Sequence, residues 1–468
     1  MFNFNLDDHY YKHIHFIGIG GISMSGLAGI LLDAGYDISG SDMKPNSRTE
    51  SLTDSGARIW YNHDSNNLHN VDLVIYTDAI SLDNVELRYA IDSKIDIIDR
   101  ASFLGALMKN YDFSIGVSGT HGKTSTTSII TEIIEHDPSN PTILLGGQLD
   151  SIHGNLKLGD RDLIVTEACE YKSNILKYYP TIAIVLNIDE DHLDFFDNID
   201  HIINTFIGYA QNLDEFSHLI LNADDENTRK LIGETKANIS TFAINRIADY
   251  SAKNIKFSEE GYPSYDLYHK HKILAHIDLN VMGQHNIYNS MAAFIACYIY
   301  GIDVDTIVKG ISSYYGVHRR LEFKGSVNGA TVIDDYAHHP TEIKTTLNAV
   351  RNRFASDIYC IFQPHTFTRT KLLLNSFSES FEDADKVIIT DIFAAREKDY
   401  GDIHSKALVE AIRRNGKDAI YLETFEEVEQ YLIDNVKPND CIITMGAGDV
   451  YKIGDNLLQH EEEVKSLI

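Results

Sequence analysis

Cysteine is scarce. Cys169, Cys297, Cys360 and Cys441 stand far apart with no C-x-x-C pair, which excludes a disulfide framework and a thiolate zinc site and fits a reducing cytoplasm. Long apolar runs are missing too. No stretch approaches the roughly 20 apolar residues of a membrane span, and the first fifteen residues hold Asp7, Asp8 and several histidines instead of an apolar signal core. The expectation is a cytoplasmic protein without integral membrane contact, monomeric or homodimeric. Positive charge is short: 40 Lys and Arg against 69 Asp and Glu give a net charge of −29. That argues against a nucleic-acid surface. It also means that a bound phosphate must be met by charge gathered locally, from lysine, arginine, Mg²⁺ or helix N-termini. Internal repeats and low-complexity tracts are absent, and 468 residues exceed one core, so two to four domains are expected.

What is present is organised around residues 113–127. A short apolar strand runs into the turn SGTHGKTS, and a helix follows with Ile129, Ile130, Ile133 and Ile134 on one stripe before Pro138. Backbone N–H groups around Gly119, Thr120 and Gly122 are placed to ring an anion at the helix N-terminus, and Lys123 adds a full positive charge. Thr124 follows the lysine, where a hydroxyl can meet a phosphate-bound Mg²⁺. The strict phosphate-loop pattern is not met, because Val117 occupies the place of its first glycine. A bare G-K-T is a common tripeptide; the strand before it, the Gly119/Gly122 pair and the helix after it make this a nucleotide phosphate site.

Upstream, HIHFIGIGGISMSG at 13–26 reads as a buried strand entering a helix that Gly35 caps, followed by strands at 36–42, 71–77 and 95–98. This is the β-α-β rhythm of a doubly wound sheet. Gly18 and Gly20 let the backbone approach a diphosphate, and Asp42 lies where an acid meets a ribose. Ser23 stands in place of the third glycine of a dinucleotide fingerprint, so the reading is a nucleotide diphosphate site rather than NAD. Downstream of the phosphate loop, strands at 162–168 and 181–188 end in Glu167 and in NIDEDHLD at 187–194; His192 is the functional candidate there, and Glu190 reads as part of a solvated turn. Short alternating runs at 255–279 predict inserted hairpins. HNIYN at 285–289 opens a helix whose His285 and Asn286 can meet an anion or an adenine edge, while Asn289 caps or packs. A third alternating unit has strands at 331–334, 358–362, 386–390, 419–422 and 441–445. Its first two strands end in DDYAHHPTE and QPHTFTRT, histidine and arginine clusters that suggest a site. GVHRRLE at 316–322 precedes it, with Arg320 favoured for phosphate.

In their order and spacing these motifs, with MGAGD at 445–449, make the chain resemble the Mur ligases, ATP-dependent amide-forming enzymes of peptidoglycan precursor synthesis, from His13 to about Tyr451. The resemblance implies a three-domain α/β protein. A Rossmann-like UDP-sugar domain would span 1–110, a central P-loop-type ATP domain with a small β insertion 111–315, and a Rossmann-like domain contacting amino acid and ATP 316–468. It implies that Gly18, Gly20, Gly21, Ser41 and Asp42 bind UDP-N-acetylmuramate. Gly119, Thr120, His121, Gly122, Lys123, Thr124 and Ser125 would hold ATP phosphates, with Asn286 near adenine, Arg320 on phosphate and Asp335 on the ribose. Mg²⁺ would take Thr124 and Glu167, and a second Mg²⁺ His192. Tyr336, His338 and Arg369 would lie near the amino acid, with Lys123, His338 and Arg369 the catalytic candidates. His338 would either help the amine lose its proton or merely position it.

Three departures matter. Thr366 stands where many relatives carry arginine. Lys172 follows Glu170 and Tyr171, where many relatives continue with serine, and those two residues receive no role. Residues 204–211 contain no lysine, whereas later-acting members carry a carbamylated one in this region. That absence fits the member adding L-alanine, as does the turn around Gly20. The rival within the family is the enzyme that reattaches recycled tripeptide; the rival from another class is an NAD-dependent oxidoreductase.

Overall fold

The computed structural model describes residues 2–395 and 397–466. The described chain divides into two compact units. One comprises the chain up to Asp189 with Asp200–Tyr250 and Ala292–Gly310; the other comprises Glu190–Ile199, Ser251–Met291 and the chain from Ile311 onward.

The first unit contains two sheets. In the first, the strands Arg58–Trp60, Asp37–Ser41, His13–Ile17, Leu73–Tyr76 and Asp96–Asp99 lie side by side, all parallel. Its central strand is buried throughout, which is why it reads as a continuous apolar run rather than an alternating one. The second sheet runs from Asn238–Ala243 through His218–Asn222, Ile182–Val185, Phe113–Ser118 and Asp160–Glu167 to Pro141–Leu149, parallel throughout, and Gly154–Lys157 closes it antiparallel. Phe113–Ser118 lies inside this sheet, so the turn after it emerges at the carboxyl ends of parallel strands, where open α/β sheets bind ligands.

The second unit carries the antiparallel pair Pro263–His269 and Lys272–Asp278 and a six-stranded sheet. In that sheet Glu322–Val327 is antiparallel to Ala330–Asp335; Cys441–Met445, Ile358–Phe362, Lys386–Ile389 and Ala419–Tyr421 follow in parallel. Alternate residues pack on opposite faces. Ile333, Cys360, Phe362, Ile443 and Met445 belong to one apolar cluster, Val332, Ile361 and Ile442 to the other. That two-sided burial is the doubly wound arrangement expected from the sequence.

Strands at Arg58–Trp60, Pro141–Leu149, Gly154–Lys157, Asn238–Ala243 and Glu322–Val327 were not expected. The first has three residues, the second begins at a proline and contains Gly146 and Gly147, and the third begins at a glycine. Such residues read as turn rather than strand.

Candidate active site

The strand Phe113–Ser118 delivers a turn that ends at the helix Lys123–Glu135. Gly122 caps that helix at φ +86°, a left-handed conformation that glycine adopts without steric cost. Asn187, just beyond the adjoining strand Ile182–Val185, stitches the turn down. Its Oδ1 accepts from His121 N (2.8 Å), its Nδ2 donates to His121 O (3.0 Å), and its backbone O accepts from Thr120 N (3.1 Å). Thr120 and His121 therefore do not offer their N–H groups to an anion, contrary to expectation for Thr120. The N–H groups of Gly122, Lys123, Thr124 and Ser125 have no partner among the described residues, and they form the open cradle at the helix N-terminus.

Lys123 Nζ donates to Gly119 O, to Thr120 O (3.1 Å) and to Glu170 Oε2 (3.1 Å). Burial disfavours its charge, but the buried carboxylate of Glu170 outweighs that and raises its pKa, so it stays a cation. Glu167 lies opposite Val117 in the parallel ladder, beside the loop strand. Its Oε1 accepts from Gly146 N (2.8 Å), and Oε2 has no partner among the described residues.

The first glycine turn is closed on itself. Gly18 N and Ile19 N donate to Ser41 O (2.8 and 3.1 Å), Gly21 N to Gly18 O (3.2 Å), and Gly20 N to Asp42 Oδ2 (2.8 Å). Gly20 leaves no room for a side chain: a Cβ there would stand 2.7 Å from Asn46 Nδ2 and 2.8 Å from Asp42 Oδ2. Among the described residues, the open donors are the N–H groups of Ile22, Ser23 and Met24, in the first turn of the helix Ile22–Asp33. Ser41 Oγ donates to the buried carboxylate of Glu86 (2.5 Å).

In the second unit, the carboxylate of Asp335 accepts from Leu321 N and Ala337 N (2.7 Å each), and burial pushes its pKa up to about 6. The guanidinium of Arg320 lies 5.1 Å from the Tyr336 ring. Its neighbour Arg319 is held between the rings of Tyr336 and Tyr451 (4.9 and 4.6 Å) and bonds to Asp334 (3.2 Å) and Gly446 O (2.6 Å). Asn286 donates to Met282 O (2.8 Å) and accepts from Asn289 (2.9 Å), tying the start of the helix His285–Tyr300. His338 Nδ1 faces Tyr336 O (2.9 Å), and burial lowers its pKa to about 4. Thr366 caps the helix Phe367–Leu372, accepting from Arg369 N (3.4 Å). Arg369 reaches Asp191 Oδ1 through Nε (3.2 Å) and Nη2 (2.9 Å). Asp191 is buried. Burial alone would raise its pKa, yet His192, Arg369 and His339 hold it far below the usual carboxylate range.

Three family models match in succession: "Mur ligase family, catalytic domain" over residues 13–112, "Mur ligase middle domain" over 117–297, and "Mur ligase, glutamate ligase domain" over 319–448. A UDP-N-acetylmuramate–L-alanine ligase of Acetivibrio thermocellus is 49% identical over 460 residues, covering 98% of both chains. The chain belongs to the Mur ligase family. Among further relatives of this Mur ligase, the UDP-N-acetylmuramate–L-alanine ligase of Alkaliphilus metalliredigens is 48% identical over 98% of this chain and 99% of its own. The crystal structure of the UDP-N-acetylmuramate–alanine ligase of Thermotoga maritima superposes with a TM-score of 0.81 at 27% identity, covering 97% of this chain and all of that one. A murein peptide ligase of Psychrobacter arcticus shares the fold (TM-score 0.71, 24% identity, 96% of this chain and 98% of that one).

Three residues of this Mur ligase that sequence reasoning left without a role stand out. Glu170 pairs with Lys123, Asp191 with Arg369, and Arg319 anchors the turn at Gly446. Only Arg319 had a sequence signal, its place beside Arg320.

Proposed function

We propose that this Mur ligase joins L-alanine to the lactyl carboxylate of UDP-N-acetylmuramate at the expense of ATP, in the cytoplasm, through an acyl phosphate. Supporting this reading is the open cradle of Gly122–Ser125 backed by the Lys123 cation, in a chain aligned end to end with relatives bearing that activity. Carboxylate is a poor electrophile. Phosphoryl transfer breaks the β,γ bond of ATP, releases ADP and turns the lactyl carboxylate into a mixed anhydride; the alanine amine attacks its carbonyl carbon and gives up a proton, and phosphate leaves with the C–O electron pair.

The proposed domains are 1–110 for the UDP-sugar, 111–315 for ATP, and 316–468 for amino acid and ATP. In the first, Gly18, Gly20 and Gly21 permit close approach of the diphosphate, and Ile22, Ser23 and Met24 supply N–H groups. Ser41 and Asp42 shape that end through their bonds to Glu86 and Gly20. In the second, Gly119–Ser125 surround ATP phosphates, with His121 fixed by Asn187, and Lys123 neutralises charge as it moves onto the β,γ-bridging oxygen of the departing ADP. Mg²⁺ suits the hard oxygens of Thr124 and of Glu167, whose Oε2 lacks a partner among the described residues, with His192 for a second ion; such an ion would screen phosphate charge. Asn286 takes the adenine, Arg320 phosphate and Asp335 the ribose.

Arg369 and Tyr336 receive the amino acid. With Nδ1–H donated to Tyr336 O, His338 presents a bare Nε2 that accepts a hydrogen bond from the amine; a pKa near 4 makes it an orienting acceptor more than a strong base. Purified protein given UDP-N-acetylmuramate, ATP and Mg²⁺ should release phosphate only when L-alanine is added. Phosphate release that needs tripeptide instead would move the assignment to the recycling enzyme, and none with either amine would end the ligase reading.

A further inference from the structure

A file of polar side chains runs through the buried interior of the first sheet, and no role above uses its two histidines. His13 Nδ1 meets Asn70 O (3.0 Å), and His13 Nε2 meets Ser39 Oγ (2.7 Å). The same hydroxyl meets His15 Nδ1 (2.9 Å), and His15 Nε2 stands 3.6 Å from Glu86 Oε1 in the helix Val85–Asp92. His15, Ser39 and Glu86 are fully buried. Glu86 also accepts from Ser41 Oγ (2.5 Å), His63 Nδ1 (2.9 Å) and Asn67 Nδ2 (2.7 Å). Burial raises the pKa of this acid, but His15, Ser41 and Asn67 bring it down to about 2, so it is ionised and only accepts.

Both ends of the file accept and cannot donate: the carbonyl of Asn70 and the carboxylate of Glu86. Filling the four contacts between them takes four protons, whereas neutral His13, Ser39 and neutral His15 supply three. Asn70 O takes the ring proton of His13 at Nδ1. His13 Nε2 is then bare, which suits the donor-only guanidinium of Arg58 at 3.2 Å. Ser39 turns its hydroxyl proton to that nitrogen and accepts from His15 Nδ1–H. The shortfall lands on the last and longest contact. His15 Nε2 points a lone pair at the Glu86 carboxylate, and it has no hydrogen-bond partner among the described residues.

We propose that His15 and Glu86 form a proton-operated switch beneath the first glycine turn: a neutral imidazole facing a carboxylate at neutral pH, and an imidazolium bonded to that carboxylate on acidification. The proton comes from solvent and adds to His15 Nε2, with no other bond made or broken. His63, whose side chain is 16% exposed and bonded to the same carboxylate, gives it a route. Among the described residues, the titratable groups facing His15 are Glu86, His63 and, on its own strand, His13; Arg58, paired with Asp37 (2.9 Å), lies beyond His13. Burial lowers the His15 pKa and outweighs Glu86, which raises it; His13 and His63 lower it further. The neutral form therefore holds through the ordinary imidazole range, and the switch turns below it. Ser41 carries the change outward, because its Oγ donates to Glu86 and its backbone O holds Gly18 N and Ile19 N (2.8 and 3.1 Å). A carboxylate drawn to an imidazolium loses part of the charge that strengthens the Ser41 bond, and the turn loosens.

The sheet carries its own reporter. Trp60 is the one tryptophan in the chain, and its ring lies 6.1 Å from that of His15. Imidazolium accepts an electron from excited indole and quenches it; neutral imidazole does so far less. Emission of the full chain should fall reversibly on acidification along a one-proton curve with its midpoint below about 6.5. Hydrogen exchange at Gly18 and Ile19 N–H, corrected for its intrinsic pH dependence, should quicken along the same curve. His15→Gln places an amide N–H opposite Glu86 at every pH, so both curves should flatten, whereas His63→Gln should keep them. Because His15→Gln alters the core and can disturb folding, neutron diffraction from wild-type crystals at neutral pH gives a check that needs no variant: a deuteron on His15 Nδ1 and none on Nε2. Flat emission in folded wild type, a curve that survives His15→Gln or vanishes in His63→Gln, or a deuteron on Nε2 at neutral pH would each overturn the inference.

Discussion

The two glycine turns of the first unit share one plan and diverge in one residue type. In each, a buried parallel strand enters a turn that a helix follows, and a side chain at the end of the neighbouring strand holds the turn down. Asp42 does this for Gly20, and Asn187 does it for His121, both over 2.8 Å. The first clamp is an anion; the second is a neutral amide that also returns a hydrogen bond to His121 O. A carboxylate beside the open cradle of Gly122–Ser125 would oppose phosphate in a chain already short of positive charge. The first turn has no lysine, bonds the N–H groups of Gly18 to Gly21 inward and leaves three donors open in the helix that follows; the second leaves four donors open and places a cation against Glu170. Glycine spacing marks where backbone can approach a diphosphate, but which groups remain to greet it depends on the clamp.

The sharpest way to separate the turns is Lys123→Ala. It should lower kcat by about 10³-fold or more, as removal of a group stabilising transition-state charge does, while UDP binding by calorimetry changes less than about 2-fold. Parallel loss of UDP binding would mean the two turns are not independent. Next comes Glu170→Gln. Leaving Lys123 buried without its counter-ion should cost about 3 kcal/mol in urea denaturation. Added ADP should then raise the Tm of the variant by more than that of wild type, since phosphate replaces the missing anion; an equal gain would remove Lys123 from the phosphate site. Asn187→Asp gives the second turn the clamp of the first. The KM for ATP should rise about 10-fold, roughly 1.4 kcal/mol, with the KM for UDP-N-acetylmuramate unmoved.

Much of this was legible in the chain because apolar runs between glycine turns reveal parallel strands, and both turns and most strands fell where those runs predict. The two clamps were legible only as positions. Asp42 was readable as an acid after a strand, but not as an acid already bonded to Gly20 and to Met43 N. Pairings across long separations left no trace: Glu170 is 47 residues from Lys123 and Asp191 is 178 from Arg369. A buried ion pair is made by the fold, and a lone acid in a polar segment looks solvated until its partner arrives. Short edge strands escaped for a different reason. Three residues such as Arg58–Trp60 are too few to show a period, yet that strand brings His63 alongside Ser41.

The smallest expected effect completes the exchange of clamps. Asp42→Asn keeps an acceptor for Gly20 N but weakens a charge-assisted bond and sacrifices one of the two acceptors that serve Gly20 and Met43. That loss should amount to about 1 kcal/mol, read as a KM for UDP-N-acetylmuramate about 5-fold higher, with the KM for ATP unchanged. The asymmetry is the point of the pair: adding a charge at the second turn should hurt more than removing one at the first, because it sets a carboxylate beside the four open donors and the lysine that meet phosphate. If Asp42→Asn proved the more damaging of the two, by 100-fold or so, the carboxylate would have to leave Gly20 and touch the nucleotide itself. The first turn would then open on binding and expose the donors that it now folds inward.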